Sequence, residues 1–269
     1  MQVIRKTVKN IPFYACDGFG PGVAHGFSTR IGGVSPAPWD SLNLGACRGD
    51  DPANLRENFS RFCAAIGADP NALVKNQQMH SKRVRPVTKA DVMPAPETPG
   101  EIEADGMITN QPGVALTIFS GDCLPVFLYD PVRRVIAACH AGWRGTAQGI
   151  AAQAARQMQE DYGCAPQDIL AAIGPGIGPC CFETHADVPD GLRAELGPDA
   201  EAFITALPGG EKFQVDLKGA NARWLERAGL KPEHIALSAA CTACDRTDFW
   251  SHRMQGSQRG SMAAIIQMV

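Results

Sequence analysis

Apolar residues recur along the chain in two rhythms, and each rhythm predicts a different element. From Asp51 the spacing is helical. Leu55, Phe59, Phe62, Cys63 and Ile66 fall on one face, Asp51-Pro52 supplies an N-cap with proline at the first helical position, and Gly67 ends the run. Short runs rich in β-branched and aromatic residues at Val114–Phe119, Pro125–Tyr129 and Val135–Cys139 predict buried strands, and Val84–Val87 is strand-like as well. Trp143-Arg144-Gly145-Thr146 leads into an Ala/Gln-rich stretch that predicts a helix to about Tyr162, closed by Gly163. A strand at Ile169–Ile173 meets the turn GPGIGP. Asp216 caps a helix running through Leu225, and strands follow at Ile235–Ser238 and Met262–Met268.

Strands that follow one another directly and strands separated by helices occur in one chain. That mixture predicts a mixed α/β (α+β) fold, with mixed β-sheet layers flanked by helices. Pro94, Pro96 and Pro99 make Pro86–Gly100 the nearest thing to a linker, yet nothing divides the chain, and one domain over residues 1–269 is predicted.

Composition narrows the function. Lys plus Arg is 25 against 28 Asp plus Glu, a net charge of −3, so the broad positive field of a nucleic-acid binder is missing. Apolar residues at 45% and charged residues at 20% exclude disorder as the main state. No apolar run approaches the ~20 residues needed to cross a bilayer. The opening MQVIRKTVKN lacks a secretory apolar stretch, so a cytoplasmic protein without membrane or nucleic-acid partners is expected, with a monomer favoured. Its ten cysteines are then expected as core residues, metal ligands or nucleophiles.

Three segments place a metal-type ligand beside a strand: Gln77-Gln78-Met79-His80, Gly121-Asp122-Cys123, and Cys139-His140 running on to Gly145. Loops fixed by a rigid sheet are where such folds collect functional side chains. His80, Cys123 and His140 make a His₂Cys set one ligand short of tetrahedral, which suits zinc with an open position. Their wide spacing matches no local zinc-finger rule, so two structural histidines and a buried cysteine are the competing reading. Cys123 and His140 also have the residue types of a Cys–His hydrolase. Arg30, beside Gly32-Gly33, offers a bidentate fork and unhindered amides for phosphate, and Asn43 offers hydrogen bonds to a ribose or base. Asp105 and Asp122 are candidates to orient a ligand or activate water. The lone Cys241-x-x-Cys244 is read as structural, and Cys180-Cys181 as packing beside the GPGIGP turn.

Read in order, HGFSTRIGGVS (His25–Ser35), SLNLG (Ser41–Gly45), NQQMHSKRV (Asn76–Val84), ADGMIT (Ala104–Thr109), GDCLPVFLYDP (Gly121–Pro131), HAGWRGT (His140–Thr146) and CTACDRTDFWSHR (Cys241–Arg253) resemble the laccase-domain, or multicopper polyphenol oxidoreductase, family of YfiH- and YlmD-like proteins. The resemblance implies a layered α/β fold similar to a toxin deamidase, and a zinc ion on His80, Cys123 and His140. It implies phosphorolysis of purine nucleosides (adenosine, inosine, guanosine, methylthioadenosine) and adenosine deamination at the same site. Two positions depart from the family pattern: Ser81 stands where Gly is usual, and Met254 follows Arg253 where a second Arg is common. The copper-dependent polyphenol oxidoreductase alternative fails a physical check, because the chain has six His and no His-x-His pair from which to build a trinuclear copper centre. Copper would then enter only as an adventitious occupant of the zinc site.

Overall fold

The computed structural model describes residues 1–269. Along the chain come β1 (Val3–Val8), β2 (Ile11–Cys16), β3 (Val23–Ser28), α1 (Pro52–Ile66), β4 (Leu73–Val74), β5 (Val84–Pro86), β6 (Gly106–Thr109), β7 (Ala115–Ser120), β8 (Leu124–Asp130) and β9 (Val135–Ala141). There follow α2 (Trp143–Ala147), α3 (Ile150–Tyr162), β10 (Leu170–Ile173), β11 (Glu183–Thr184), α4 (Asp187–Leu196), β12 (Ile204–Ala206), β13 (Phe213–Val215), α5 (Leu217–Arg227), β14 (Ile235–Leu237), α6 (His252–Gln255) and β15 (Met262–Met268).

Two mixed six-stranded sheets carry the fold, with strand orders β1-β2-β3-β15-β7-β4 and β14-β10-β8-β9-β6-β5. Leu116, Ile118, Ala264 and Ile266 of the first meet Phe127, Ile136, Ala138 and Ala172 of the second in one core. The opposite face of the first sheet, through Phe13, Ala115, Ala263 and Ile265, packs on Phe59 and Phe62 of α1. The opposite face of the second, through Val126, Ala137, Cys139 and Ile173, packs on α3, α4 and α5. The layers therefore run helix, sheet, sheet, helices. Strands covered on both faces need no polar alternation, which is why β8, β9 and β15 are apolar at nearly every position.

The expected Ala/Gln-rich helix forms as α3, and the Trp143–Thr146 stretch that leads into it lies in a short helix of its own, α2. Gly149 sits between them at φ 71°, a left-handed conformation glycine adopts without strain, and a Cβ there would lie 3.0 Å from the Trp224 ring. The Asp51 and Asp216 caps form as expected, each carboxylate accepting from backbone amides of its first turn. Pro86–Gly100 is a loop tied to the body of the protein. Buried Lys75 donates through Nζ to the carbonyls of Pro96 and Thr98, and Arg85 pairs with Asp91 at 2.6 Å. No helix is long and apolar enough to cross a membrane.

Candidate metal centre and substrate cleft

Strand register assembles the candidate ligands. The β8–β9 pairing matches Leu124 with Ala141, which sets Cys123, at the end of the β7–β8 turn, beside Gly142. His140 lies one residue before the end of β9, and its amide donates to the Asp105 carbonyl at 2.7 Å. His80 arrives on the loop preceding β5 in the left-handed region, at φ 61°. The Nε2 or Nδ1 and Sγ atoms of His80, Cys123 and His140 all lie within 4.8 Å of one another, and Cys123 Sγ is 3.7 Å from His80 Nε2.

Asp105 holds two of the three ligands. This fully buried carboxylate accepts from the amides of Met79 at 3.1 Å, His80 at 2.9 Å and Ser81 at 2.7 Å, from the Ser81 hydroxyl at 2.7 Å, and from His140 Nδ1 at 2.8 Å. Burial alone would raise its pKa, but the donors from His140 and Ser81 hold it well below the ordinary carboxylate range. Both oxygens are saturated, so Asp105 orients ligands and is not a free base. Ser81 adds a hydroxyl to that carboxylate, which gives its departure from the family pattern a structural role. With Nδ1 committed to Asp105, His140 presents Nε2 as its free ligand atom. Asp122 is occupied too: it accepts from Thr242 Oγ1 at 2.6 Å, Ser251 Oγ at 2.9 Å and the Arg253 amide at 2.7 Å.

Two charged states are built into the set. Burial would raise the Cys123 thiol, but His140 and His80 bring it down to about 6. Burial would lower His140, but Cys123 and Asp105 raise it to about 9. Once a metal displaces the Nε2 proton of His140, the set is a thiolate with two imidazoles, which zinc accepts and magnesium or calcium does not. Only two of the six histidines join it, too few for a trinuclear copper centre. Gly142 keeps the space open. A Cβ there would lie 2.5 Å from His80 Cδ2 and 3.2 Å from Cys123 Sγ, although the Gly142 backbone (φ −67°, ψ 174°) suits any residue. Gly142→Ala should therefore lower zinc affinity by at least about tenfold while leaving the thermal unfolding midpoint within about 2 °C, measured by chelator competition and calorimetry.

The set opens into a cleft of about 680 Å³ that Phe119, Trp143 and Phe182 also line. Four arginines face it: Arg48, Arg144, Arg253 and Arg259. None of them pairs with a carboxylate, although eight other arginines do. Arg259 is 5% exposed and donates to the Gly260 carbonyl at 2.8 Å, while its Nε has no partner. Burial and Arg48 lower its pKa to about 10.

Arg30 and Asn43, expected at the substrate, do not line the cleft. The Arg30 fork is spent on Asp40, donating to its carbonyl at 2.7 Å and its carboxylate at 2.9 Å, and it stacks over Trp250. Asn43 is fully buried. It donates to Asp50 and accepts from the amides of Gly45 and Ser261, so it shapes the cleft wall from behind. The four cleft arginines come from four separate segments. Arg144 and Arg253 stood inside recognised motifs, whereas Arg48 and Arg259 carried no sequence signal.

The family model described as multi-copper polyphenol oxidoreductase laccase matches residues 24–269. The chain is 36% identical to the purine nucleoside phosphorylase YlmD of Geobacillus stearothermophilus over 91% of its own length and 90% of that protein's. It is 36% identical to the purine nucleoside phosphorylase YfiH of Escherichia coli, over 92% of this chain and 95% of that one. The crystal structure of YlmD from Geobacillus stearothermophilus superposes with a TM-score of 0.92 at 33% identity, covering 99% of each chain.

Proposed function

Because this chain belongs to the multi-copper polyphenol oxidoreductase laccase family, we propose that it is a zinc-dependent purine nucleoside phosphorylase that also deaminates adenosine at the same site. The observation that carries this reading is the set of four guanidinium groups without carboxylate partners around His80, Cys123 and His140. Uncompensated arginines facing one cleft favour an anion, and the planar forks match phosphate oxygens.

In phosphorolysis a phosphate oxygen bonds to the anomeric carbon of the ribose as the C–N glycosidic bond breaks. The bonding pair leaves with the purine, which takes up a proton. Arg48, Arg144, Arg253 and Arg259 would hold phosphate in line, and Phe119 and Trp143 offer aromatic walls for the base. Zinc on His80, Cys123 and His140 would supply a Lewis acid for the leaving base or for the water of deamination. Asp105 keeps the His140 proton on Nδ1 and fixes the ring for both reactions.

Adenosine tests the reading directly. In phosphate buffer, zinc-loaded protein should release adenine and ribose 1-phosphate. In phosphate-free buffer those products should vanish while inosine still forms, and His140→Ala should lose both activities. No product from zinc-loaded protein would overturn the nucleoside reading, and phosphorolysis surviving in His140→Ala would overturn its dependence on zinc.

A second reading, a Cys–His hydrolase, rests on the lowered Cys123 thiol beside an Asp105-oriented His140. Activity that survives chelation and is lost to iodoacetamide would select it.

A further inference from the structure

The structure gathers Cys180 and Cys181, from the end of the GPGIGP turn, against Cys241 and Cys244 of the C-terminal CTAC segment. We propose that these four cysteines form a second metal site, a tetrathiolate centre for a zinc-class divalent cation, distinct from the His80–Cys123–His140 set. All four Sγ atoms lie within 4.8 Å of one another. Cys244 Sγ is 3.5 Å from Cys180 Sγ and 3.3 Å from Cys181 Sγ. Zinc–thiolate bonds of about 2.3 Å in a tetrahedron separate sulfurs by about 3.8 Å, so small rotamer changes would close the cage.

One of the four sulfurs is held by the backbone: the Gly178 amide donates to Cys241 Sγ at 3.2 Å. A two-residue gap between Cys241 and Cys244 is the ligand spacing of a zinc knuckle. The amides of Cys181 and Phe182 both donate to the Gly178 carbonyl, a turn that sends the neighbouring thiols toward the same partner. Cys241 is buried, whereas Cys180 and Cys244 are exposed, which leaves an entry path from solvent.

Charge also balances. Four thiolates around a divalent cation leave two negative charges. Buried Lys218 donates to the carbonyls of Ser238 and Ala240, the latter next to Cys241 in the chain. Arg253 donates to the Cys181 carbonyl at 3.1 Å. A disulfide would use two of the sulfurs and leave the other two thiols converging on nothing.

The centre would brace the cleft from behind. The turn bearing Cys180 and Cys181 carries Ile177 and Phe182 into the cleft lining. Thr242, inside the CTAC loop, donates to Asp122, the residue next to ligand Cys123. The proposal does not rest on the nucleoside reading, and its test uses metal content and spectroscopy rather than turnover.

Protein purified in reductant with zinc should carry about two metal ions per chain, falling to about one in a Cys241→Ser, Cys244→Ser variant. A His80→Ala, His140→Ala variant, which keeps all four cysteines, should take up cobalt with the intense visible and near-ultraviolet bands of a tetrahedral cobalt–thiolate centre. That spectrum is read on an intact cysteine cluster, so the result stands even where the serine variant fails to fold. The proposal is overturned by about one metal ion in the wild-type chain, or by cobalt that produces no thiolate spectrum. A Cys180–Cys244 or Cys181–Cys244 disulfide in zinc-supplied, reduced protein, read by peptide mass mapping, would overturn it as well.

Discussion

Asp105→Asn should weaken zinc binding by the His80–Cys123–His140 set about 10–100-fold, and the two proposed nucleoside activities should fall with it. The side chain changes little in size, so the effect is electrical. Five donors converge on the carboxylate, and an amide has only one oxygen to receive them; its NH₂ would face the Ser81 or His140 donors. Loss of a buried charged acceptor should also cost about 3 kcal/mol of stability. The sign with pH is fixed by the direction of the shift. The folded pKa of Asp105 is depressed, so the carboxylate contributes its full stabilisation above about pH 4, the range of the unfolded group, and loses it as acid approaches the folded value. The stability gap between wild type and Asp105→Asn should therefore narrow in acid. A gap independent of pH, or zinc retained at wild-type affinity, would remove Asp105 from the ligand scaffold.

Arg259→Met should cut kcat/KM for phosphate by about 10²–10³-fold, the scale of losing a charge-stabilising donor in a closed site. Deamination of adenosine, which consumes no phosphate, should stay within about threefold in phosphate-free buffer. Arg259→Lys should recover part of the loss, because it restores the charge without the fork. Stability should not fall. The guanidinium is buried without a carboxylate and with one nitrogen unpartnered, so its removal relieves a desolvation cost while Met fills similar space. Equal losses in both reactions would point instead to a collapsed cleft, since a Gly121 Cβ would lie only 2.0 Å from Arg259 Nη1 and the two pack tightly.

Periodicity located β8, β9 and β15, which are buried on both faces, but missed the equally buried β2, β3 and β6 as well as the exposed β1. β8, β9 and β15 stand out because nearly every position is apolar, as a two-sided core requires. β1 does not. VIRKTV is an exposed edge strand with three charged or polar positions, and only pairing with β2 makes it a strand. α4 carries Pro189 and Gly191, two poor helix formers that hide its signal, although Pro189 falls in the first turn where its missing amide costs nothing. The clustering of His80, Cys123 and His140 was legible because strand ends and motif blocks agreed on these three residues. The arginine ring was not, because its four members come together only when two sheets and the loop after Asn43 are stacked. Arg30 was chosen on its local chemistry and its place in a family block, and neither says that Asp40 has already claimed the fork.

The position of β15 has a consequence for how the protein is made. It lies between β3 and β7, joining Met262–Met268 to Val23–Ser28 and to Ala115–Ser120. Until Met262–Met268 leaves the ribosome, the first sheet exists as two separate pieces, each with an unpaired apolar edge. At about 5–20 residues per second, the interval between emergence of β3 and of β15 lasts on the order of ten seconds or more. During that interval the nascent chain offers two strand edges to any neighbour, and chaperones that bind extended apolar segments have their longest opportunity there. A chain arrested short of Met262 would not be a slightly shortened enzyme but an open β-template, prone to pair with copies of itself.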